Sequence, residues 1–82
     1  MAKNPKSGPK DPVPVEIISP IIGTISYLSI PDGNTVVQGE EICQIECMKT
    51  FYPVYAPKDG KLRYRLMLGD MVSDGEVIAE II

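Results

Sequence analysis

An internal repeat limits what this chain can fold into more than any other feature of its sequence. Ser19-Pro20-Ile21-Ile22-Gly23-Thr24-Ile25 aligns with Ala56-Pro57-Lys58-Asp59-Gly60-Lys61-Leu62 at an offset of 37. Val36-Val37-Gln38-Gly39-Glu40-Glu41-Ile42 aligns with Val72-Ser73-Asp74-Gly75-Glu76-Val77-Ile78 at an offset of 36, and Ile45 aligns with Ile81 at that same offset. The change of offset gives the first copy one extra residue. Its expected place is the turn Pro31-Asp32-Gly33-Asn34, set against Leu68-Gly69-Asp70 in the second copy. Self-similarity at this period marks one supersecondary unit used twice.

Each copy reads as strand, glycine turn, longer strand, turn, strand, glycine turn, strand. The β-prone runs are Val15–Ser19, Gly23–Ile30, Thr35–Gln38, Glu41–Cys47, Thr50–Ala56, Lys61–Leu68, Met71–Ser73 and Glu76–Ile81. All are short, and none carries a sustained apolar stripe of helical period. A four-strand unit with one apolar face cannot fold alone, so the two copies must cover each other. The expectation is an all-β fold: a flattened eight-strand sandwich with a pseudo-two-fold axis. Glycines 23, 39, 60 and 75 fall at equivalent places in the two copies, where turns need positive φ or close backbone approach. That equivalence argues for a structural role and against a phosphate cradle.

With 82 residues there is room for one small domain. Residues 1–14 hold four of the eight prolines and a net charge of +2, and read as a disordered tail or linker. Residues 15–82 form the domain, with five basic and ten acidic side chains. An acidic body argues against nucleic acid, which needs a basic face to neutralise phosphates. No apolar run approaches the length of a membrane span, and the first residues lack the features of a secretory or mitochondrial leader. The default expectation is a soluble cytoplasmic protein without membrane insertion. Cys43 and Cys47 would lie roughly 13 Å apart on an extended strand, too far for a disulfide. The chain has no histidine to complete a metal site. The two cysteines therefore read as buried, inert thiols on a core-facing strand.

A two-fold repeat has one unique place, the link between its copies. Here that link is Glu46-Cys47-Met48-Lys49-Thr50. The flanking runs are both β-prone, which predicts a tight hairpin turn at Met48-Lys49. Asn-Gly or Asp-Gly would suit such a turn better on backbone grounds. Residues that break the local rule at an exposed tip point to function. The competing reading of Lys49 is a tip lysine kept for solubility.

Glu46-Cys47-Met48-Lys49-Thr50 resembles the Glu-Ala-Met-Lys-Met segment of the biotinyl/lipoyl attachment domain family, specifically the biotin carboxyl carrier domains of biotin-dependent carboxylases. Ala56-Pro57-Lys58-Asp59-Gly60 resembles the family's Ala-Pro-x-x-Gly, and Gly69-Asp70-Met71-Val72 its Gly-Asp-x-Val turn. The resemblance runs from about Val15 to Ile82. It implies a barrel-sandwich hybrid fold and biotin linked covalently to Lys49. It also implies three partners, namely a biotin protein ligase, a biotin carboxylase and a carboxyltransferase. The chain itself would be a non-catalytic carrier, serving a carboxylase of an acyl-CoA (acetyl-CoA, for example) or of a 2-oxo acid.

Within that resemblance, Met48 separates biotinyl from lipoyl members, which usually carry aspartate before the lysine. Glu46 occurs in both and reads equally as a ligase-recognition residue or an outward strand carboxylate. Thr50 departs from the usual methionine. Phe51, Tyr52 and Tyr55 read as a partner-docking surface or, for at least one of them, as core. Pro53 lacks an N–H, so its strand should run along a sheet edge or tolerate a missing ladder bond. The sequence shows no insertion that would fold over the prosthetic group. Two other functions stay open: a lipoyl carrier of a 2-oxo-acid dehydrogenase or glycine-cleavage system, and an unmodified adaptor module.

Overall fold

A computed structural model describes residues 13–82. Most of the tail expected over residues 1–14 therefore lies outside the described residues, and Val13 and Pro14 are exposed. The strands are β1 (Val15–Ile18), β2 (Gly23–Leu28), β3 (Thr35–Val36), β4 (Glu41–Cys47), β5 (Thr50–Tyr55), β6 (Gly60–Tyr64), β7 (Met71–Val72) and β8 (Val77–Ile81). They form two antiparallel four-stranded sheets, ordered β1-β8-β6-β3 and β5-β4-β2-β7. This is the expected flattened sandwich, without closure into a barrel.

The repeat maps one sheet onto the other. The first-copy strands β1, β2, β3 and β4 correspond to β5, β6, β7 and β8, so β1-β8-β6-β3 becomes β5-β4-β2-β7. Each sheet takes two strands from each copy, and neither copy could stand without the other. The interior obeys the same rule. Thirteen apolar residues and Ser19 are buried, and all of them fall into seven two-fold pairs: Ile17/Val54, Ser19/Ala56, Ile25/Leu62, Val36/Val72, Ile42/Ile78, Cys43/Ala79 and Ile45/Ile81. Turn hydrogen bonds repeat as well. Gly39 N donates to Ala56 O and Gly75 N to Ser19 O, at 2.8 and 2.9 Å.

One expectation is corrected. The extra residue of the first copy is not in the Pro31–Asn34 turn. Ile25 still pairs with Ile45 as Leu62 pairs with Ile81, but Tyr27 faces Gln44 where Arg63 faces Glu80. The offset has therefore already dropped to 36 by Tyr27, and the inserted residue is Ser26, a β-bulge inside β2. Its hydroxyl donates to the Gln44 carbonyl at 3.3 Å. The turns themselves match in length, since Gly33 N donates to Leu62 O and Gly69 N to Ile25 O, both at 2.8 Å. Motif alignment placed the change of offset only somewhere between Ile25 and Val36. Strand pairing resolves it.

Tyr64 breaks the symmetry inside. Its hydroxyl reaches from the first sheet to within 2.7 Å of the carbonyl oxygens of Ile30 and Ile42, donating across the sandwich. Leu28 is its two-fold mate and has no such donor. Burial, with lesser contributions from Cys43 and Asp32, pushes the Tyr64 phenol well above its ordinary range. A neutral hydroxyl is what a bridge to two carbonyls requires.

Candidate functional site

The link between the copies folds as the sequence predicts. β4 and β5 pair from Glu41↔Tyr55 to Cys47↔Thr50, which leaves Met48 and Lys49 as a two-residue turn. Both have left-handed φ, 53° and 64°, the pattern of a type I′ turn. Among the described residues they are the sole non-glycine residues with positive φ. Holding a side-chain-bearing residue there costs about 1–3 kcal/mol. The paired strands on either side over-determine the turn and hold both residues in place.

Met48 is 91% exposed, and Lys49 is exposed beside it. Among the described residues, the ion pairs of the chain are those of Arg65 with Glu16 and Glu80, so Lys49 has no acidic partner. Its amine stands clear of the protein and is available for acylation. Thr50 is exposed and opposes Cys47 at the mouth of the turn. Glu46 lies one residue pair further from the tip, between Thr24 and Phe51, half-buried and without a bonded partner among the described hydrogen bonds. The structure thus gathers Glu46, Met48, Lys49 and Thr50 at one end of one sheet, on five consecutive positions.

Two expectations about neighbouring residues change. Cys43 is buried, but Cys47, which pairs with the exposed Thr50 beside the turn, is only half-buried. The Cys43 thiol is pushed up to about 12 by burial, with a smaller push from the Glu41 charge, and stays protonated at neutral pH. Of the three aromatic residues, none is core: Phe51 and Tyr55 are 55% exposed and Tyr52 36%. Val54 and Ala56 fill the inward positions of that segment, and Tyr52, although inward by alternation and opposite the fully buried Ile45, lies on the outermost strand of its sheet and stays partly exposed. Pro53 does sit on an edge, since β5 is the outermost strand of its sheet.

Gly23 belongs to this site, and of the two readings the sequence offered, positive φ or close backbone approach, the structure shows the second. A Cβ there would collide with the Glu46 carbonyl oxygen and lie 2.8 Å from Ile45 Cγ2. The missing side chain lets the β1–β2 turn press against β4 just below the tip. Gly60 does the same against Ile81 and the Ile82 carbonyl, so the repeat held the signal.

Comparison with known proteins fits this geometry. The biotin/lipoyl family model, described as "Biotin-requiring enzyme", matches residues 15–81. The chain belongs to the biotin/lipoyl attachment family. The alpha chain of mitochondrial propionyl-CoA carboxylase from Sus scrofa is 36% identical over 64 residues, covering 77% of this chain and 9% of that protein. The crystal structure of Kluyveromyces lactis urea carboxylase matches with a TM-score of 0.79 at 30% identity, over 99% of this chain and 7% of that one. The attachment domain thus spans less than a tenth of these two carboxylases. The solution structure of the lipoyl domain of the 2-oxoglutarate dehydrogenase complex from Azotobacter vinelandii matches with a TM-score of 0.69 at 27% identity, over 83% of this chain and 95% of that one. Biotin and lipoyl carriers share the fold, so the backbone alone does not choose between them.

Proposed function

We propose that this attachment domain is biotinylated on Lys49 and carries carboxyl groups from a biotin carboxylase to a carboxyltransferase. The observation that carries the reading is the Met48-Lys49 turn. An unpaired lysine stands at the outermost point of a rigid hairpin, in a backbone conformation that its residue type does not favour. Met48 supports biotin over lipoyl, as do the carboxylase relatives.

A biotin protein ligase would join the biotin carboxyl carbon to Lys49 Nζ as an amide: ATP activates the acid with loss of pyrophosphate, and AMP and an amine proton leave as the amide forms. This requires an amine without a carboxylate partner, as at Lys49. Biotin, when bound, supplies the nitrogen that accepts the carboxyl group. The chain's own residues tether and orient. β4 is paired on both sides, by β2 and β5, so the base of the arm is fixed while the lysine stem swings. Tethering raises the effective concentration of the attached group at each partner site without any new contact. Acylation also removes one positive charge, leaving Glu46 as the charged group nearest the tip on β4 and β5. The acceptor follows from the carboxyltransferase; an acyl-CoA or a 2-oxo acid is the expected class.

The test is incubation with biotin protein ligase, ATP and biotin, followed by a streptavidin blot and intact mass. Wild-type protein gains one biotin and Lys49→Arg gains none. Equal labelling of both proteins overturns the assignment. A lipoyl group on Lys49 in protein isolated from its own cells would transfer the carrier role to a 2-oxo-acid dehydrogenase or glycine-cleavage system, and an unmodified Lys49 there would point to an adaptor.

A further inference from the structure

The two sheets share one framework but turn different chemistry outward. On the first sheet, Arg63, Glu80 and Glu16 form a cross-strand row. Arg65 closes the cluster, at 3.8 Å from Glu16 and 3.3 Å from Glu80. The two-fold equivalents on the second sheet are Tyr27, Gln44 and Pro53, also in one cross-strand row. Every charge in the row has been replaced by an uncharged side chain. Nothing in the fold asks for this, because the same positions tolerate full charge on the other sheet.

The uncharged row continues toward the Lys49 tip. Phe51, Glu46, Thr24 and Met71 form the next outward row, nearest the turn. At the far end Tyr55 faces outward opposite Glu41. Tyr27, Phe51, Tyr55 and Met71 are each more than half exposed. Aromatic and methionine side chains of this kind are enriched in protein interfaces. The charges within the face are those of Glu41 and Glu46; Lys61 and Arg63 belong to the first sheet, and Arg65 follows its strand β6. Glu41 is fixed by hydrogen bonds from Ser29 Oγ at 2.6 Å and Gln44 Nε2 at 3.0 Å, which hold its carboxyl below the usual range and keep it ionised.

We infer that the outer face of the β5-β4-β2-β7 sheet is the surface on which the attachment domain docks to a catalytic domain of its carboxylase, through a partner surface with an apolar centre and a basic rim. The face runs without interruption into the tip that carries Lys49, so a partner seated on it stands where the tethered group must be delivered. The carboxylates of Glu41, fixed by Ser29 and Gln44, and of Glu46 complement lysine or arginine at the rim, and attachment at Lys49 removes the positive charge of the adjoining tip. The inference rests on the carrier reading above, but concerns different residues.

The experiment grafts the charged row of one sheet onto the other. Tyr27→Arg with Pro53→Glu places on the second sheet the side chains its two-fold mate already carries, so the fold should accept them; a thermal melt checks this. Phe51→Ser with Tyr55→Ser is the second variant, and Arg63→Gln with Glu16→Gln is the control on the first sheet. Each protein is biotinylated, and its affinity for the biotin carboxylase and carboxyltransferase purified from the same cells is measured by calorimetry. Both second-sheet variants should bind at least one of these enzymes about tenfold more weakly, a loss of the size expected for an interface anchor, while the control binds as wild type. Biotinylation rates should be unchanged in all three. Unaltered affinity in the folded variants, equal losses in the control, or slower biotinylation with unaltered carboxylase binding would each overturn the inference, the last by making the ligase the occupant. Failure of wild-type protein to accept biotin would instead overturn the carrier reading.

Discussion

Two strand pairs in this molecule are copies of each other, and only one is closed. β8 and β1 pair as Ile81↔Val15, Glu80↔Glu16, Ala79↔Ile17 and Val77↔Ile18. β4 and β5 pair at the equivalent positions, Ile45↔Tyr52, Gln44↔Pro53, Cys43↔Val54 and Glu41↔Tyr55. Even the irregularity recurs, with Ile78 and Ile42 as the unpaired residues of the two β-bulges. The difference is at the end. β4 runs on through Cys47 and turns at Met48-Lys49 into β5, whereas β8 and β1 meet without a connecting turn. The framework therefore does not need the turn to hold this pairing. What the turn adds is a lysine in a fixed, outward position, at a conformational cost that the closed pair carries and the open pair does not.

If the pairs are equal as framework, truncating their matched core residues should cost the same. Ile45 and Ile81 are both fully buried two-fold mates. Ile45→Ala and Ile81→Ala should each lose about 2–5 kcal/mol, the usual range for emptying a core isoleucine site. Urea denaturation measures both. A loss at Ile45 far below that at Ile81 would mean that the turn secures its pair more firmly than the comparison allows. The next effect is smaller and of opposite sign. Replacing Met48-Lys49 by Asn-Gly relieves two left-handed non-glycine residues and should stabilise the domain by about 1–2 kcal/mol, while removing the acceptor amine. Met48→Asn alone separates the terms, giving the smaller part of the gain with Lys49 intact. No gain in the melting temperature of either variant would show that the turn carries no strain.

Most of this architecture was legible because it is written twice. The eight strands, their order of use and the pseudo-two-fold all follow from Gly23/Gly60, Val36/Val72, Gly39/Gly75 and the paired isoleucines, and the tip follows from being the one place with no copy. Three things were not legible, each for a physical reason. Ser26 hides in β2 because a bulge leaves the alternation on either side intact and shows only in pairing. Phe51, Tyr52 and Tyr55 alternate like a strand with a buried face, but which of them turn outward depends on the pairing with β4, and even the inward Tyr52 stays partly exposed on the outermost strand. The second sheet's docking face required knowing that Tyr27 and Pro53 share a row, although they are distant in sequence.

The last comparison of the two pairs is between Cys43 and its mate Ala79, both fully buried. At neutral pH they are nearly interchangeable small apolar residues, and Cys43→Ala should change stability least of the substitutions considered. They part at high pH. The unfolded thiol ionises near its ordinary value of 9.0, whereas in the folded protein burial, and then the Glu41 charge, hold it protonated up to about 12. Between those values the unfolded state has lost a proton that the native state keeps, so ionisation favours unfolding. The contribution of Cys43 is thus complete below about pH 9 and is lost as pH rises toward 12. Tyr64, also raised, adds a decline of the same sign from its ordinary value of 10.0 upward, so the informative quantity is the difference between proteins. Wild-type stability should fall more steeply than that of Cys43→Ala from pH 9 upward, with the two curves converging below it. Parallel curves across that range would show that the sandwich does not hold the Cys43 thiol away from water.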